Sequence, residues 1–167
     1  ITFAPITKDA AAFFGVTDLQ IGLLSMSFMI VYLIVSIPAS WIIDTYGIRA
    51  GVGAGVVLTG VFGLLRGIFA SDYNLLLIFQ IGIAVGQPFL LNSITKVASR
   101  WFPVSERATA SGLGTLAMYF GILLGMSLTP FLVNGSNIDG MLKLYGMVSM
   151  ATAMIFFTSR SVVSSFV

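Results

Sequence analysis

Gln80 and Gln87 stand inside an uncharged run, residues 73–95, at a separation that puts both on one face of a helix. An uncharged amide can accept from a hydroxyl or donate to a carbonyl, which suits the holding of a small solute. Pro88 follows directly, removes one backbone N–H and frees the carbonyl of Ala84. Tyr32 shares a helical face with Ser25 and Ser36, and Tyr119 shares one with Thr115. Two π-faces and two amides make a cage with no carboxylate. A desolvated cation is attracted to such faces by about 1–2 kcal/mol. For the serines, hydrogen bonding between helices is the better reading. Gln87, beside its proline, is expected to line a central cavity near the middle of its helix.

Other chemistry is excluded by what the chain lacks. It has no cysteine and no histidine. An intramembrane protease would need a Ser–His, Asp–Asp or zinc constellation, and no Asp, Glu or Lys falls deep in an apolar run. The reading is therefore not an enzyme, with no metal and no cofactor. A net charge of +2 gives no nucleic-acid surface. Proton-coupled carriers usually need a buried titratable group, and Lys96 and Arg66 are expected to snorkel to opposite faces.

The elements that must position these residues follow from the spacing of the charges. Only 8% of residues are charged, against about 25% in a soluble domain, so the surface faces lipid. The uncharged runs 19–43, 50–65, 73–95, 108–138 and 144–159 approach the roughly 20 residues that cross a bilayer. Helices are the open-ended solution, because every backbone group in lipid must be bonded internally. The spacing predicts helices over about 1–12, 17–43, 50–69, 73–99, 106–132 and 141–158. A tight turn is expected at 44–49 and a polar loop at 134–140, where Asn134-Gly135-Ser136 matches a glycosylation sequon. The chain opens on Ile1 rather than Met, and reads as a fragment that begins inside a first transmembrane helix. Gly121 and Gly125 form a small-residue packing pair, and Gly51, Gly53 and Gly55 serve the same end.

Orientation follows from Lys and Arg. Arg49, Lys96, Arg100, Arg107 and Arg160 gather on one side, against Lys8, Arg66 and Lys143 on the other. The turn at Asp44 is therefore placed in the cytoplasm. In that turn, Asp44, Gly47 and Arg49 fit a Gly-x-x-x-Asp-x-x-Gly-x-Arg pattern, with Ser40 in place of the first glycine. Gly47 permits the backbone of a tight turn, and Asp44 and Arg49 sit within reach of each other. A second motif runs from Arg100 through Trp101-Phe102-Pro103 to Glu106-Arg107. Its aromatic residues suit the membrane interface, and Glu106 suits a helix N-terminus.

Together the two motifs resemble signatures of the major facilitator superfamily, between its second and third helices and between its fourth and fifth. The resemblance implies an all-α, polytopic membrane bundle: the N-terminal six-helix half, residues 1–167, of a twelve-helix fold, with its first helix truncated. It implies that Asp44, Gly47, Arg49, Arg100, Glu106 and Arg107 form a gate that latches two halves on the cytoplasmic side. A narrower resemblance covers nearly the whole chain. Phe14-Gly15-Val16, Leu24-Ser25-Met26, Trp41-Ile42-Ile43-Asp44 and Gln87-Pro88-Phe89 with Asn92 resemble the feline leukaemia virus subgroup C receptor family. Glu106-Arg107-Ala108-Thr109-Ala110 with Tyr119 is similar to its disrupted-in-renal-carcinoma branch.

That family has been linked to choline, ethanolamine, haem and vitamin-like cations. The resemblance adds Asn92 to Gln87, Gln80, Tyr119 and Tyr32 as substrate-binding candidates. Where the choline-handling branch has an Asn-Gln pair in the fifth helix, this chain has Met118-Tyr119, which leaves the substrate open. The expected function is transmembrane transport of a small organic solute by alternating access, an organic cation or a vitamin-like metabolite. Its partners are that solute, the lipid bilayer and a C-terminal half of the same carrier, in a multi-pass protein of the cell membrane. The alternative is a non-transporting receptor or scaffold of the same fold.

Overall fold

The computed structural model describes residues 3–163, with the side chains of 135, 136 and 159–163 outside that description. The predicted start of the first helix at 1–2, and the side chains of Arg160 and of sequon residue Ser136, therefore lie outside the described residues. A 3-10 turn over Ala4–Ile6 leads into a short helix, α1 (Thr7–Phe14). Gly15, at φ 64°, ends α1 in a backbone conformation that costs glycine nothing. Then come α2 (Asp18–Tyr46), α3 (Ile48–Ile68) and α4 (Tyr73–Trp101). The last helical stretch, Arg107–Val163, is broken at Asn137 into two limbs, α5 (Arg107–Asn134) and α6 (Asn137–Thr158).

α2 to α6 are each long and apolar enough to cross a membrane. Their starts are set by local chemistry. Thr17 caps α2 and its side chain is met by Gln20 in a capping box. Asp72 accepts from the backbone N–H of Asn74 and Leu75 at the head of α4. α2 and α3 are joined by Gly47 alone, at φ 90°. The predicted loop at 134–140 is not a loop: helical structure continues through it except at Asn137, φ 63°. Asparagine tolerates positive φ better than most residues, so one residue breaks the helix where seven were expected to.

The bundle is held at its two ends by different clusters. At the Asn137 end, Phe3, Ile6, Ala10 and Ala11 of the N-terminal segment pack with Ile21 and Leu24 of α2, Leu76 of α4 and Met141 and Leu142 of α6. Tyr73 Oη donates to the carbonyl of Gln20 at 2.6 Å and ties α4 to α2 there. At the Gly47 end, Ala39 and Ile43 of α2 meet Phe89 of α4.

Between these ends, α3 is pressed against two neighbours through glycines. A Cβ on Gly86 of α4 would stand 2.9 Å from the Gly55 carbonyl oxygen of α3. A Cβ on Gly67 would stand 2.8 Å from the Leu142 carbonyl oxygen, and one on Gly146 of α6 would stand 2.8 Å from that of Gly63. Close backbone approach of this kind is how membrane helices pack without a hydrophobic driving force. Of the glycines expected to pack, Gly55 and Gly51 do, whereas a Cβ on Gly121 or Gly125 would meet nothing within 4 Å. α5 carries a largely exposed apolar face, including Leu116, Phe120, Leu123 and Phe131.

With an odd number of crossings between them, the turn after α2 and the turn before α4 fall on opposite sides of a bilayer. Cysteines placed at Thr45 and Ser71, both exposed, are expected to react with an impermeant maleimide from opposite faces of sealed vesicles. Reaction of both from one face would overturn this topology.

Candidate functional site

The charge at the upper end of α3 does not reach for the nearer membrane face. Arg66 is buried, at 7% exposure, and its Nη1 donates to Oε1 of Gln80 at 2.5 Å. The reason is the direction of a helical side chain, whose Cα–Cβ bond tilts toward the helix N-terminus. Arg66 lies two residues before the C-terminal end of α3, so its stem runs back along the helix toward the bundle interior. Gln80, about 10 Å into α4 at 1.5 Å per residue, meets it at that depth. The expected snorkelling of Arg66 is thus corrected: it is an inward-facing cation.

Arg66 separates two adjoining cavities. One, of 330 Å³, is bounded by Phe28, Thr59, Gln80, Gln87, Met118 and Tyr145, among others, so all of α2 to α6 contribute. The other, of 400 Å³, reaches Gly121, Gly125 and Thr129 on α5 and Tyr145 and Ser149 on α6. There the Thr129 and Tyr145 hydroxyls lie 2.7 Å apart, and Thr129 also donates to the Gly125 carbonyl at 2.6 Å. Gly121 and Gly125 leave space for this cavity rather than for a neighbouring helix.

The predicted substrate residues divide. Gln80 and Gln87 come together on the first cavity, Gln87 at the midpoint of α4 and half-buried. Gln80, however, is already engaged by Arg66. Asn92 lies further toward the Gly47 end, where its Nδ2 donates to Oγ of Ser40 at 2.8 Å and to the carbonyl and Oγ of Ser36 at 3.2 Å. It ties α4 to α2, and with Ser40 and Lys96 it borders a separate small cavity of 180 Å³. Tyr32 is half-buried and Tyr119 is 57% exposed, and neither is among the residues lining the two cavities at Arg66. Arg66, Thr59 and Tyr145 are the cavity residues that sequence reasoning missed. Arg66 had one available signal, its place near a helix C-terminus.

At the Gly47 end the predicted gate residues lie on two adjacent features. Asp44 pairs with Lys96 of α4, and both remain substantially exposed. Lys96, expected to snorkel, is partly exposed at that end and is the carboxylate's partner there, joining α2 to α4. Arg49 and Arg100 border a cleft of 380 Å³ with Tyr46, Gly47 and Trp101. Arg107 Nε donates to the carbonyl of Phe102 at 3.2 Å and closes the short loop before α5. The Glu106 backbone N–H donates to Pro103 in the same loop, and its carbonyl accepts from Ala110.

Residues 1–165 match the family model described as Major Facilitator Superfamily. The chain is 31% identical to the choline/ethanolamine transporter FLVCR1 of Felis catus, over 95% of this chain and 30% of that protein. It is 29% identical to solute carrier family 49 member A3 of Danio rerio, over 82% of this chain and 30% of that protein. Identity to the choline/ethanolamine transporter FLVCR2 of Homo sapiens is 27%, over 80% of this chain and 26% of that protein. The chain thus spans less than a third of the length of these three relatives.

Proposed function

Since this chain belongs to the Major Facilitator Superfamily, we propose that it forms the N-terminal half of a carrier that moves a small organic solute across the cell membrane by alternating access. The observation that carries this reading is the pairing of two features in one bundle. A cavity with polar groups lies at mid-depth around Gln87, and an exposed ion-pair latch, Asp44 to Lys96, lies at one end. The first can hold a solute and the second can bias one conformation over another. Gln87 is the solute-facing amide. The solute is an organic cation, which the name choline/ethanolamine transporter of two relatives supports, or a vitamin-like metabolite; the partner is the other half of the carrier, which the greater length of the relatives supports. The role is carriage without bond-making, so the protein is not an enzyme.

The gate is Asp44 and Gly47 with Arg49, Arg100, Glu106 and Arg107 around them. An exposed ion pair contributes about 0–1 kcal/mol, enough to change a conformational ratio several-fold and too little to hold a substrate. Asp44→Asn in the full-length protein, reconstituted in proteoliposomes, is expected to slow solute uptake several-fold while leaving the apparent affinity unchanged. Lost binding with unchanged exchange between outward- and inward-open states would contradict a latch. Uptake of no solute from a panel of organic cations and vitamins would contradict the carrier itself.

A further inference from the structure

The cavity at Arg66 holds a positive charge with no counter-charge. Among the described residues the ion pairs are Lys96–Asp44 and Lys143–Asp139, and Arg66 belongs to neither. No Asp or Glu borders either of its two cavities. Its one hydrogen bond runs to the neutral amide of Gln80, and its Nε is buried with no acceptor. A second orphan lies close by: Thr59 Oγ1 is buried without a partner against Gly86 of α4, and its residue borders the 330 Å³ cavity. Two independent groups on α3, a guanidinium N–H and a hydroxyl, thus lack acceptors beside one cavity. Buried polar groups are normally satisfied, and a charge inside a bilayer is kept only where it is paired or works on a ligand.

We propose that this cavity binds a small solute through an anionic group, a carboxylate, held by the Arg66 guanidinium with Thr59 in reach. Arginine presents its N–H groups in a fork that fits a carboxylate, and a charged acceptor makes the stronger bond. Gln87, on the same cavity, is placed to bind the rest of the solute. The proposal rests on the carrier reading of the cavity and narrows it. An organic cation without a carboxylate would meet Arg66 as a like charge, whereas a zwitterion or an organic acid would satisfy it.

Matched pairs test this, each differing by the carboxylate: nicotinate against nicotinamide, and betaine against choline. Thermal stability of the purified full-length protein reads binding, because a ligand that binds only the folded state raises the melting temperature. At least one carboxylate member is expected to stabilise the wild-type protein, and its uncharged or cationic partner is not. Arg66→Gln is expected to weaken that carboxylate's affinity by roughly tenfold or more, with Arg66→Lys recovering part of it. Thr59→Val supplies a second variant that keeps the cation and removes only the orphan hydroxyl, and a smaller loss is expected there. If Arg66→Gln does not fold, the wild-type comparison and Arg66→Lys still decide.

Stabilisation by neither carboxylate overturns the proposal, as does equal stabilisation by both members of each pair, or full retention in Arg66→Gln. Uptake of the same probes into proteoliposomes separates this from the carrier reading. Choline uptake without carboxylate binding leaves the carrier and removes the anionic site. Carboxylate binding that depends on Arg66, with no uptake of any solute, leaves the site and removes the carrier.

Discussion

Gln80→Leu is expected to lower the stability of the full-length protein by about 1.5–3 kcal/mol, the usual worth of a hydrogen bond to a charged group. Leucine fills nearly the same volume, so the loss is electrical rather than steric. Arg66 Nη1 loses its acceptor, and the neighbouring Nε already has none. The buried guanidinium then faces apolar surroundings. Replacing both partners by apolar residues removes the stranded charge, and such replacements of buried polar pairs are often neutral or stabilising. The double variant Arg66→Met with Gln80→Leu is therefore expected to melt well above Gln80→Leu alone. Melting of the wild type, both single variants and the double in detergent completes the cycle. A double variant no more stable than Gln80→Leu would show that the pair contributes little and that the leucine disturbs packing instead.

Gly86→Val is the second large change expected, and its cause is steric. A Cβ at Gly86 would lie 2.8 Å from Thr59 Oγ1, 2.9 Å from the Gly55 carbonyl oxygen and 3.1 Å from the Leu58 Cβ. A hydroxyl can rotate away, but a helical carbonyl cannot, so α3 and α4 must separate. Overpacking of this kind costs about 1–3 kcal/mol. A longer β-branched side chain on a membrane helix contact belongs at the upper end, with loss of folded yield. Gly121→Val is the matched control, since nothing lies within 4 Å of its added Cβ. Its yield and melting temperature are expected to stay near wild type. Equal loss at both positions would mean that helix propensity, not contact, governs.

The spans were legible because charge is costly in lipid: its rarity between residues 19 and 43 or 73 and 95 marks a crossing without any knowledge of partners. Gly47 was legible for another local reason, glycine's freedom to take the backbone of a tight turn, and it makes a tighter join than expected. What was not legible depended on neighbours. The glycine repeat in α5 looks like a packing face, yet whether a glycine packs is decided by the backbone opposite it, and the one opposite Gly55 belongs to Gly86. Asn92 entered as a substrate candidate through the family resemblance; its bonds to Ser36 and Ser40, more than fifty residues earlier, were not legible in the sequence. Residues 134–140 have the composition of a loop, but composition does not count how many residues must break a helix. Arg66 was misread because position along the chain was weighed and side-chain direction was not.

The join at Gly47 leaves α2 and α3 no slack. A long loop lets two helices slide along each other, whereas a single residue lets them hinge and little more. Any tilt of α2 must therefore carry the near end of α3 with it, and α3 in turn is seated backbone to backbone on α4 and α6. Asp44 on α2 and Lys96 on α4 therefore sit at one end of a connected train of helices, and Arg66 on α3 sits further along it.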